Sequence, residues 1–153
     1  MFKKVLILSF LLSALFAQSP DELFKTAQAS LDAGKVSKAE EEFNLALQAD
    51  PTYAPAYLGL AHVSMRKGDL KKAGESLKEA IEADPENKAF REEFETMNEL
   101  NTLMSKGIRS MKNGDADNAF ESFRVAFEKF PNYPESGFNM GLTHFRKKEF
   151  TEA

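Results

Sequence analysis

Two hydrophobic patterns divide the chain. Residues 5–17 are an almost unbroken apolar run behind Lys3 and Lys4. From Gln18 onward the apolar positions are spaced out, and they recur in register. Three prolines set that register: Pro51, Pro85 and Pro131, the first two 34 residues apart. Ala27, Ala61 and Gly107 each lie 24 residues before their proline, and Gly34, Gly68 and Gly114 lie 17 before. Ala39, Ala73 and Ala119 lie 12 before, Phe43, Leu77 and Phe123 lie 8 before, and Ala46, Ala80 and Ala126 lie 5 before. Five positions repeated three times at one spacing identify an internal repeat.

Each position has a physical reading. Small residues let two antiparallel helices approach closely, and the large apolar residue between them fills the space beside the contact. Glycine stands where the first helix must end, because it takes a left-handed backbone without a Cβ penalty. Proline ends the second helix, since it lacks an N–H and disfavours helix in the residue before it. Ser19-Pro20-Asp21-Glu22 reads as a capping box with proline at the first helical position. Ser37-Lys38-Ala39-Glu40 reads as a second capping box. The first pair is therefore expected at about 20–33 and 38–49.

This pattern resembles the tetratricopeptide repeat family over nearly all of residues 20–153. Tyr57, Leu60, Ala61, Gly68, Ala73, Leu77, Ala80 and Pro85 fall on the signature places of repeat two. The resemblance implies an all-α fold in which antiparallel helix pairs stack in a right-handed superhelix, an α-solenoid. Repeats are expected at 20–53, 54–87 and 100–133, with a partial repeat at 134–153. Repeat four keeps Gly141 and Ala153 but has Lys148 where glycine is expected. Its second helix would have barely begun at Ala153, so Phe138, Leu142 and Phe150 would be poorly covered. Because repeat arrays finish with a polar capping helix, the expectation is a fragment or a natural chain that continues.

Residues 88–99 interrupt the period with twelve extra residues that include no Gly or Pro. Phe90, Phe94, Met97, Met104, Ile108 and Met111 continue one helical stripe through them. One long helix over about 88–112 is expected, roughly 38 Å at 1.5 Å per residue; the alternative is a break near Asn101.

The N-terminal run has the plan of a secretory signal peptide: a positive end, then thirteen mostly apolar residues. It is shorter than the ~20 residues of a spanning helix. Cleavage after Ala17 leaves Leu15 at position −3, larger than the usual small residue. The alternatives are an uncleaved anchor, the one route to membrane contact, and a buried first helix. The expected location is periplasmic or secreted.

Composition narrows the chemistry. The chain is 42% hydrophobic and 29% charged, which suits a folded domain. Its net charge is −4, and without the first 17 residues 18 basic groups face 24 acidic ones. That balance argues against nucleic acid, which needs a basic face. There is no cysteine, so disulfides, thiolate metal sites and cysteine nucleophiles are excluded. The two histidines, His62 and His144, lie in different repeats without metal spacing. No phosphate loop, nucleophile elbow, metal motif or cofactor signature appears, and Glu40-Glu41-Glu42 and Glu92-Glu93 read as solvated helix faces. The chain is not read as an enzyme.

In the resembling family, the first helices of successive repeats line a concave groove. Carried onto this sequence, the fifth, ninth and twelfth places give Phe24, Gln28 and Leu31; Leu58, His62 and Met65; Met104, Ile108 and Met111; and Phe138, Leu142 and Phe145. The thirteenth places are Asp32, Arg66, Lys112 and Arg146. The family's charged clamp for a C-terminal carboxylate is not reproduced, because Phe24 and Gln28 stand where Lys and Asn are needed. What remains is an apolar, Met-rich groove rimmed by Arg66, Lys112 and Arg146, suited to a partner helix with acidic ends. The same residues also read as ordinary core within each repeat. The expected function is an exported scaffold binding a protein or peptide. A self-associating structural protein is one alternative, and the docking arm of an enzyme whose catalytic domain lies beyond residue 153 is another.

Overall fold

The computed structural model describes residues 18–152, and the signal-peptide reading of residues 1–17 falls outside them. All regular structure among the described residues is helical. The helices are α1 (Pro20–Asp32), α2 (Val36–Ala49), α3 (Ala54–Arg66), α4 (Leu70–Ala83), α5 (Lys88–Lys112), α6 (Ala116–Lys129) and α7 (Pro134–Glu152). Each packs on the next, and α1 also lies against α3, giving an α-solenoid of stacked pairs.

Local chemistry sets the boundaries. Ser19 Oγ accepts from the Glu22 N–H at 3.2 Å, and the Glu22 carboxylate accepts from the Ser19 N–H at 3.1 Å. This reciprocal box opens α1, with Pro20 in its first turn. The turns inside the three pairs carry Gly34, Gly68 and Gly114 at φ of 73°, 79° and 76°. Asp69 and Asp115 then cap the following helices by accepting from the Lys72 N–H at 2.9 Å and the Asn118 N–H at 3.1 Å. The equivalent residue of the first pair is Lys35, which makes no side-chain cap bond. The Ser37 capping box is therefore corrected. With α2 starting at Val36, Ser37 lies inside the helix, and Glu40 reaches outward to Lys67 and Lys72.

Small residues carry the contacts between helices. Ala27, Ala39, Ala46, Ala61, Ala73, Ala80, Ala119 and Ala126 are fully buried, as are Phe43, Leu77 and Phe123. The Phe43 ring covers Gly59 of α3 so closely that a Cβ there would sit 2.3 Å from it. Phe123 covers Gly107 of α5 in the same manner, at 2.5 Å.

Helix α5 is a single helix of 25 residues that serves two neighbours. Its first half packs Phe90 against Ala54 and Ala80, and Met97 against Ala61 and Leu77. Its second half packs Leu100 and Met104 against Ala119, Phe123 and Tyr133. The buried stripe is Phe90, Met97, Leu100, Met104 and Gly107, and Ile108 is 42% exposed. Gly107 takes the inner seat because the Phe123 ring lies over it, which turns Ile108 outward.

Helix α7 runs on to Glu152, so the start of a second helix expected in repeat four does not appear. With Lys148 in place of glycine, no residue there favours the left-handed turn, and the helix continues. Among the described residues no helix is long and apolar enough to cross a membrane.

Candidate functional site

A cleft of about 290 Å³ opens between the helix pairs. Gln28, Leu31 and Asp32 of α1 line it together with His62, Met65 and Arg66 of α3. Glu93 and Thr96 from the first half of α5 also line it, and the segment Lys129–Tyr133, from the end of α6 through the turn before α7, closes the lining.

The walls are tied together by polar pairs. His62 Nε2 lies 3.1 Å from Glu93 Oε1, joining α3 to α5, and the hydrogen bond from His62 holds the Glu93 carboxyl below its ordinary value against the opposing effect of burial. The Gln28 amide donates to Asp32 Oδ1 at 2.9 Å. Lys129 of the closing segment reaches Glu99 of α5 at 2.5 Å. Tyr133 is 3% exposed, and its hydroxyl lies 3.5 Å from the Gly68 carbonyl and 3.4 Å from Glu135 Oε2. Burial, then the Glu135 charge, push that phenol above its ordinary pKa, so it stays protonated and able to donate. Among the described residues no cluster of His, Asp or Glu is arranged to hold a metal ion.

The structure divides the groove residues expected from sequence into three sets. Gln28, Leu31, His62, Met65 and Arg66 line the cleft together. Phe24, Leu58, Met104 and Met111 pack into the apolar clusters, Phe24 with its ring 5.7 Å from Phe43 and 5.9 Å from Tyr53. Ile108, Lys112, Phe138, Leu142, Phe145 and Arg146 lie outside the cleft, with Phe138 at 71% and Phe145 at 60% exposure. Of the three basic rim residues only Arg66 reaches it. The acidic clusters also depart from a purely solvated reading. Glu40 is half-buried under two lysines, Glu42 holds one buried oxygen without a partner, and Glu93 bonds His62 inside the cleft.

Glu93, Thr96 and the Lys129–Tyr133 segment escaped the sequence reading. A signal for Thr96 was present. Continuing the 34-residue period without a gap takes Gln28 to His62 and His62 to Thr96, all three of which line the cleft.

The sequence pattern of the tetratricopeptide repeat family matches residues 30–92, which span α2, α3, α4 and the turns between them. Residues 30–92 carry the tetratricopeptide repeat pattern. Over 154 residues the chain is 27% identical to the anaphase-promoting complex subunit CDC16 of Saccharomyces cerevisiae, covering 98% of this chain and 16% of that protein. The chain thus spans about a sixth of that relative's length. Among solved structures, the repeat array is similar to PilF of Pseudomonas aeruginosa, with a TM-score of 0.46 and 19% identity over 86% of this chain and 70% of that one. It is also similar to YrrB, a TPR protein with an unusual peptide-binding site, with a TM-score of 0.46 and 20% identity over 82% and 76%. The Yersinia enterocolitica type III secretion chaperone SycD, solved with a peptide of the translocator YopD, gives a TM-score of 0.43 and 17% identity over 83% and 93%.

Proposed function

We propose that this chain is an exported scaffold that holds a partner polypeptide in the cleft between α1, α3 and the first half of α5. The carrying observation is the cleft itself. Its apolar lining, Leu31 and Met65, is accompanied by polar groups from three helices, the combination that lets a protein surface hold and orient a ligand. The repeats supply rigid walls, and the lining side chains are mostly held by packing or by hydrogen bonds. At about 290 Å³ the cleft lies at the small end of ligand sites and takes side chains of an extended segment rather than a whole helix, which is ~10 Å across.

Thr96→Trp tests this reading, because Thr96 is exposed on α5 and a bulky ring there fills the cleft without touching the core. Thr102→Trp, exposed elsewhere on the same helix, is the control. Partner capture from the native cell should be lost in the first variant and kept in the second. Equal capture by both would refute the cleft as the site.

Export rests on the lysine pair and apolar run of residues 3–17. N-terminal sequencing of the protein outside the cytoplasm should find a start at or near Gln18, and an intact Met1 would refute cleavage.

Self-association is a second reading, favoured by the exposed Ile108, Phe127, Phe138 and Phe145. Light scattering at rising concentration decides it, since a constant monomer mass excludes it.

A further inference from the structure

Arg66 differs from every other cation of known environment in this chain. Among the described residues, two Lys or Arg side chains are half-buried: Arg66 and Arg124. Arg124 is paired on both sides, with Glu121 at 2.6 Å and Glu128 at 2.6 Å. The Arg66 side chain has no ion pair and no hydrogen bond to any of the described residues. Its five donors face the cleft and the recess without a protein acceptor among the described residues, and its planar fork suits an oxyanion.

Its surroundings restrict which oxyanion. Arg66 lines both the cleft and a second recess of about 300 Å³ formed with Gly34, Val36, Pro131, Asn132 and Pro134. A partner chain passing from one recess to the other must cross it. The nearby carboxylates are already engaged elsewhere, Asp32 by the Gln28 amide and Glu93 by His62. Their negative charge still acts on whatever enters, so a singly charged carboxylate is tolerated better than a doubly charged phosphoryl group. The cleft that Arg66 lines also has apolar lining from Leu31, Met65 and Tyr133.

We infer that the cleft selects an extended partner segment in which an acidic side chain meets Arg66 and a neighbouring apolar side chain rests on Leu31, Met65 and Tyr133. This rests on the reading of the cleft as the partner site and adds the chemistry that site recognises.

The test is selection of short random peptides, held internally in a display scaffold, on the purified full chain. Asp or Glu should be enriched beside an apolar residue. Synthetic selected peptides, acetylated and amidated so that no terminal charge remains, should bind the wild-type protein. Arg66→Gln should weaken them about tenfold or more, the scale of one charged hydrogen-bonded pair. Glu→Gln in the peptide should weaken wild-type binding equally, and both changes together should cost no more than either alone. Arg66→Lys, which keeps the charge without the fork, should fall between wild type and Arg66→Gln. Helical circular dichroism establishes that each variant is folded.

Selected peptides without acidic residues, unchanged binding by Arg66→Gln, or binding only by peptides with a free C-terminus would overturn the inference. If Thr96→Trp still blocks those peptides, the cleft stands as the partner site and only the acidic preference falls. Peptides that bind Thr96→Trp normally, or a selection that yields none, would overturn both.

Discussion

Replacing Gly59 by alanine sets two effects of opposite sign against each other. Gly59 is an interior helical residue of α3, where alanine is favoured by about 1 kcal/mol from backbone propensity alone. Its Cβ, however, would lie 2.3, 2.4 and 2.6 Å from three ring carbons of Phe43. Relief needs a shift of more than an ångström, and the ring is fully buried and rigid, with Phe24 at 5.7 Å on another side. Overpacking of this kind costs about 1–3 kcal/mol, so Gly59→Ala should destabilise the protein by ~1 kcal/mol net. Gly74 is the internal comparison. It is also helical and buried, but the nearest atom to its added Cβ is the terminal methyl of Met97 at 3.0 Å, the end of a flexible chain. There propensity wins, and Gly74→Ala should stabilise by ~0.5 kcal/mol. Urea unfolding followed by circular dichroism measures both changes, and hydrogen exchange at the α2–α3 amides localises the first. Phe43→Leu should recover part of the Gly59→Ala loss, with a coupling of about 0.5 kcal/mol or more. If both alanines stabilise equally, the Phe43 ring does not lie on α3 and the packing described here is wrong.

Three other changes probe separate features. Lys35→Asp places at the start of α2 the cap that Asp69 and Asp115 give α4 and α6, and should raise stability by ~0.5–1 kcal/mol in urea unfolding. Met97→Pro breaks the middle of α5 and should cost about 3 kcal/mol or more, whereas a small loss would indicate a broken helix there. Hydrogen bonds from Lys67 and Lys72 hold the Glu40 carboxyl below its ordinary 4.5, so its contribution is complete above about pH 4.5 and is lost as pH falls through the lowered value. Glu40→Gln should therefore cost ~0.2–1 kcal/mol at pH 7, the range of partly exposed pairs, and almost nothing in strong acid; a pH-independent loss would assign Glu40 a packing role instead.

The helix pairs were legible because their determinants are local. Gly34, Gly68 and Gly114 stop one helix, Pro51, Pro85 and Pro131 stop the other, and the alanines set the approach between them. The cleft was half legible for a geometric reason. Gln28 and His62 sit one period apart on neighbouring first helices, so register alone brings them together. The twelve-residue insertion then moves Met104, Ile108 and Met111 along α5 by roughly 18 Å, away from α3. Thr96 and Glu93 take the vacated seats. Glu93 looked like surface because no local pattern announces a partner 31 residues away. The closing segment at Phe130–Tyr133 is similarly invisible to periodicity, since its position depends on how far the long helix carries the last pair. Arg66 was legible as a position, but its lack of a partner is a property of three dimensions only.

The contact of Tyr133 with Gly68 joins residues 65 apart in a chain whose helix contacts are mostly between successive helices. A linear array melts by fraying, each unit answering only to the next. Here the turn before α7 rests on the turn between α3 and α4, so loss of the last helix removes a support from the second pair directly. Stability in this molecule should therefore be shared around a loop of dependence, and damage at the C-terminal end should be felt at Gly68 before it has passed through α5.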